Sequence, residues 1–178
     1  MAVGERGRAR DTIRIALEGL ALFDHLNRPQ FAYLTLVYLA LAHALNGDPE
    51  KAGAALVTLD GLKLSATFYM GIDLLLARAW TAVAGGGLVR ARDWLQEAAH
   101  TGGELGDLVG QSAALHGLAR IGHPTEVADD LSRLALQIDG QLASTRARHT
   151  QGLVDQDPSG LARRRRLVAG HGSRPAGR

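Results

Sequence analysis

Gly47-Asp48-Pro49-Glu50-Lys51-Ala52, followed by Leu56 and Leu59, is a turn and helix start that returns along the chain. Gly86-Gly87-Leu88-Val89-Arg90-Ala91 precedes Leu95 and Ala98, and Gly122-His123-Pro124-Thr125-Glu126-Val127 precedes Leu131 and Leu134. A fourth turn opens at Gln156-Asp157-Pro158. The spacings of 39, 36 and 34 residues fall where two helices and their turns make one module of an α-solenoid. In Asp48-Pro49 and Asp157-Pro158 the carboxylate satisfies an orphan amide and the proline brings a φ angle already fixed for helix. From each start, a small or apolar residue, an apolar residue four later and another three after that form one stripe facing the preceding helix. Ala52 and Ala91 allow close backbone approach.

Working outward, the pattern predicts helices over 11–25, 29–45, 49–62, 65–84, 88–101, 107–121, 124–137 and 140–154, with a start at 158. The breaks carry turn chemistry: Asn27-Arg28-Pro29, Asn46-Gly47-Asp48, Gly85-Gly86-Gly87, Gly102-Gly103, Gly122-His123-Pro124 and Asp139-Gly140. No stretch alternates with period two over a strand's length, so the expected class is all-α, and short connections make neighbouring helices antiparallel. The expected architecture is a right-handed α-solenoid of antiparallel helix pairs. It is tetratricopeptide-like: the spacing drifts and most consensus aromatic positions are empty. The divisions are a flexible N-terminus (1–10), a helical repeat domain (11–160) and an arginine-rich disordered tail (161–178).

Composition narrows the function classes. With 46% apolar but only 4% aromatic residues in a chain of 178, the core must be leucine and alanine, which suits closely packed helices. Eighteen of the twenty basic residues are arginine, a bias of GC-rich coding sequence. Charge is unevenly spread: residues 11–160 hold eleven basic and seventeen acidic residues, a net of −6, whereas residues 1–10 carry +2 and 161–178 carry +6. An acidic body is the wrong sign for phosphate neutralisation, so specific nucleic-acid binding by this chain is not expected. Without cysteine there are no disulfides or thiolate metal sites. Arginines at 6, 8 and 10 are not followed by a signal-peptide core, since Arg14, Glu18 and Asp24 interrupt it. The most apolar run, Phe31 to Leu45, is shorter than the roughly 20 residues of a bilayer span and reads as a buried helix. A cytoplasmic protein without a membrane segment is expected.

The end of the chain departs from the repeats. Arg163-Arg164-Arg165-Arg166 falls on the apolar stripe, with Arg165 where leucine belongs, so this repeat cannot pack. Solenoids need capping repeats with a polar outer face, and self-association through the uncapped repeat is expected. The tail reads as an altered reading frame in GC-rich sequence or a truncated product, against a solvated tail or a basic segment for nucleic acid or membrane surface.

Catalytic and metal chemistry find little support. No two of the seven histidines have the i, i+4 spacing with a carboxylate of a helical zinc site; His116 and His123 are separated by a helix end. Asp129-Asp130 leave their helix about 100° apart and do not converge. Ser65, Ser112, Ser132 and Ser144 lie outside any G-x-S-x-G elbow. No enzyme activity, metal or cofactor is expected. Asp73 interrupts Tyr69-Met70-Gly71-Ile72 and Leu74-Leu75-Leu76, and a buried carboxylate there needs a donor; Arg78, at i+5, is off its face. Asp73, Arg78 and Tyr69 are the candidate groove or partner contacts, weighed against ordinary structural pairing. Trp80 and Trp94 fall at helix-packing positions, where core use is expected.

Ala77-Arg78-Ala79-Trp80 through Ala98-Ala99, Gly103-Glu104-Leu105-Gly106-Asp107, Ala113-Ala114-Leu115-His116-Gly117-Leu118-Ala119-Arg120 and Pro124-Thr125-Glu126-Val127-Ala128 carry a resemblance, as do Asp139-Gly140 and Asp157-Pro158-Ser159-Gly160-Leu161. Together, over about 75–161, they resemble the C-terminal half of the repeat region in large actinobacterial LuxR-family transcriptional regulators. These are loose repeat patterns, not a catalytic signature. The family's ATP site needs G-x-x-x-x-G-K-[ST], which is missing; Gly85-Gly86-Gly87 is a turn with no lysine after it. The resemblance therefore implies only the middle part of such a regulator, a scaffold that binds a protein or peptide partner or a small effector and relays that state. A stand-alone tetratricopeptide-like adaptor gripping a partner peptide in its concave groove is the alternative.

Overall fold

The structure, a computed structural model, describes residues 9–62 and 71–156. They form eight helices: α1 (Ala9–His25), α2 (Pro29–Leu45), α3 (Pro49–Gly61), α4 (Gly71–Ala84), α5 (Leu88–Leu105), α6 (Leu108–Arg120), α7 (Pro124–Ala135) and α8 (Gln141–Gln156). No strand occurs among the described residues. The all-α class follows directly. Tyr69, Ser65, the fourth turn and the arginine-rich tail lie outside the described residues.

The recurring starts share a turn but differ in their caps. Asp48 caps α3, its carboxylate accepting the Lys51 backbone N–H at 3.1 Å, with Pro49 in the first turn. Gly87 precedes α5 and His123 precedes α7, where no side chain caps the helix; instead His123 Nδ1 meets Glu126 Oε1 at 3.0 Å. Ahead of the first two starts, Gly47 and Gly86 take φ of +77° and +79°, the left-handed turn that glycine adopts without strain. Beyond them, Ala52, Ala91 and Val127 are buried, as are Leu59, Leu95, Ala98, Leu131 and Leu134, with Leu56 partly buried. The stripe read from the sequence is the buried stripe.

Helix α5 differs from expectation. The Gly102-Gly103 pair, read as a break, lies within the helix, which continues to Leu105 and ends at left-handed Gly106. These glycines serve packing: a Cβ on Gly102 would stand 2.9 Å from the Gln111 backbone nitrogen and 3.0 Å from its Cα, so α5 and α6 meet backbone to backbone. At the N-terminus, Ala9 and Arg10 already belong to α1.

The chain divides into two compact units, residues 1–114 and 115–178. In the first, α2 packs on α1, α3 and α4, and α4 packs on α5. Its core joins Ala16, Tyr33, Leu36, Val37, Leu39, Ala40, Ala55, Leu59, Leu74 and Ala77. Phe31 to Leu45 lies within α2, which buries eight residues, and no helix among the described residues is long and apolar enough to cross a membrane. In the second unit α7 packs on α8, and the buried residues include Leu118, Val127, Leu131, Leu134, Ala143 and Val154.

Candidate functional site

In the first unit, α3, α4 and α5 bring polar groups to an open groove of about 920 Å³, lined by Pro49, Leu56, Arg78, Thr81, Val89 and Trp94 together with the Gly85–Gly87 turn. Arg78 is its organising side chain. The guanidinium donates from Nη2 to Asp60 Oδ1 at 3.1 Å and lies 5.4 Å from the Trp94 ring centroid. Each link is modest, about 0.5–1 kcal/mol for an exposed cation–π contact and less for an exposed ion pair. Together they hold a long side chain in one place. Leu88 and Val89 add apolar surface at the rim, being 51% and 79% exposed.

Tyr33 lies near the same charges from the core side. Burial pushes its hydroxyl above the ordinary tyrosine range, Arg78 pulls it down and Asp60 pushes it up. Asp73 is placed differently from Arg78. The Tyr38 hydroxyl on α2 donates to Asp73 Oδ2 at 3.2 Å, so the carboxylate that interrupts an apolar helix meets a donor on a neighbouring helix. Arg78 serves Asp60 instead, as its offset from the Asp73 face requires. Of the three candidate contacts, then, Arg78 lines the groove, Asp73 binds the α2 tyrosine, and Tyr69 is outside the described residues.

Trp94, expected in the core, stands half-buried at its edge and forms part of the groove wall. Its helix-packing position gave the core reading; the Arg78 guanidinium one helix away could not be read from local spacing. Asp130 pairs with Arg133 on the surface of α7. Among the described residues no group of three or more histidine, cysteine or acidic side chains could hold a metal ion.

A second polar cluster, which sequence spacing did not indicate, lies in the second unit. His116 Nε2 on α6 and His149 Nδ1 on α8 are 3.0 Å apart, with ring centroids at 5.1 Å and planes at 75°. Burial, reinforced by the charges of His149, Arg146 and Arg120, holds the His116 imidazole down to about 4. The 33 residues separating the two rings conceal the pair in any local pattern.

Compared with protein-family models, with curated proteins and with solved structures, the chain matches none significantly.

Proposed function

We propose that the chain is a non-catalytic interaction module, an α-solenoid of tetratricopeptide-like helix pairs that grips a protein or peptide partner, or senses a small effector, in the groove beside Arg78 and Trp94. The observation that carries this reading is the groove itself: apolar surface from Pro49, Leu56 and Val89, the Arg78 cation over an aromatic face, and Arg90 and Asp93 also on the lining. Peptide-binding surfaces combine an apolar anchor site with a few positioned polar groups. The packing order supports the solenoid: α2 touches both α3, its partner in the module, and α4, the first helix of the next. Stacked repeats make such nearest-neighbour contacts. On this reading, the likeness of residues 75–161 to the repeat region of LuxR-family regulators supports a role in signal relay within the cytoplasm.

A random peptide library displayed against the full chain tests the reading. Selected peptides should lose about tenfold or more in affinity on Trp94→Ala, a hot-spot-sized effect, and also on Arg78→Glu, whereas Arg133→Glu on α7 should leave them unchanged. A library yielding no binder, or binders indifferent to both groove substitutions, would refute it.

A further inference from the structure

We propose that the contact between His116 and His149 is an acid-released latch, closed while one proton is shared between the two rings and opened when both rings are charged, freeing α8 from the C-terminal half of α6. This goes beyond the groove and does not depend on it.

The geometry dictates how many protons the contact tolerates. With the two nitrogens at 3.0 Å, one must carry hydrogen and the other a lone pair. A first added proton is accommodated: whichever ring takes it donates, and the hydrogen bond persists as imidazolium to imidazole. A second proton leaves two N–H groups facing each other on two cations, and the bond is lost. The surroundings oppose that second charge. Along α6, Arg120 follows His116 by one turn, and on α8 Arg146 precedes His149 by nearly one turn with only 8% of its surface exposed. Helix α7, packed on α8, carries Glu126, Asp129, Asp130 and Arg133, with His123 just before it, yet the charges that act on His116 are those of His149, Arg146 and Arg120. All three are basic.

The direction in pH follows. His116 is held below its ordinary 6.5, to about 4, so between these values the unfolded or opened chain binds more protons than the closed one. Closure is fully favoured above about 6.5 and is lost as pH falls toward 4. The opening follows the step that sets an N–H on each side of the 3.0 Å contact.

The test follows imidazole carbon–proton spectra of the full chain from about pH 7.5 to 4.5, with amide hydrogen exchange corrected for intrinsic rate. The His116 ring should stay neutral well below the ordinary histidine value, and α8 amides should lose protection roughly tenfold between about pH 7 and 5. His116→Gln, which sets an uncharged amide where Nε2 lies, should flatten that loss. If this variant does not fold at neutral pH, His149→Asn, whose amide replaces Nδ1, takes its place beside the wild-type ring titration. Equal acid loss with and without the substitution, unchanged α8 protection down to the lowest pH, or a His116 ring titrating at its ordinary value would each overturn the latch.

Discussion

Two glycines in helices of the first unit have opposite standing. Gly53, inside α3, has nothing within 4 Å of where a Cβ would be, whereas that of Gly102 would strike the Gln111 backbone. Gly53→Ala should therefore stabilise by roughly 0.5–1 kcal/mol through lower chain entropy. Gly102→Ala should destabilise, because moving the α6 backbone costs about 1–3 kcal/mol and outweighs the same propensity gain. Urea unfolding of the two variants decides it; a Gly102→Ala as stable as Gly53→Ala would mean that α5 and α6 do not meet there. At this scale the sequence was legible only in part. It marked Asp73 as a carboxylate in need of a donor, but Tyr38 lies 35 positions away. His116 with His149, and Arg78 over Trp94, are likewise products of helices brought side by side. Local periodicity says which face is apolar and is silent on which polar groups meet across it.

Helix starts were legible because their chemistry is local. Asp48 is held below the ordinary carboxylate value, first by the hydrogen bond with the Lys51 side chain and then by the Lys51 backbone N–H. A depressed carboxyl stabilises the fold above its unfolded value and loses that contribution as pH falls through the folded one. Asp48→Ala should lower the thermal midpoint by a few degrees near pH 7, and the gap to the wild type should close as pH falls below about 4. Parallel melts at several pH values check this; a gap that is constant with pH would show that the carboxylate charge is irrelevant to the cap. Helix ends were harder. Gly102-Gly103 looks like a terminator because glycine commonly follows a helix, but glycine also permits two backbones to touch, and only the neighbouring helix reveals which use applies. The true end, Gly106, has the left-handed φ of +70°.

Over residues 11–160 the chain carries a net charge of −6, with the dense basic run confined to residues 163–166. DNA contact should accordingly be weak, insensitive to sequence and lost as salt rises, since phosphate neutralisation without base-reading side chains gives only that. Titration against duplexes of unrelated sequence at about 0.15 M salt, with the full chain and with residues 161–178 removed, checks it. Tight, sequence-dependent binding that survives the deletion would contradict it. The turn that opens the successive modules has one further consequence. Gly47 and Gly86 are left-handed in open space, with nothing within 4 Å of a side chain there. What excludes other residues from these two positions is chirality alone, not room. A mirror-image alanine, introduced by chemical synthesis, favours this left-handed φ and stiffens the unfolded chain, so the module joints are places where this protein would be steadied by an amino acid that translation does not supply.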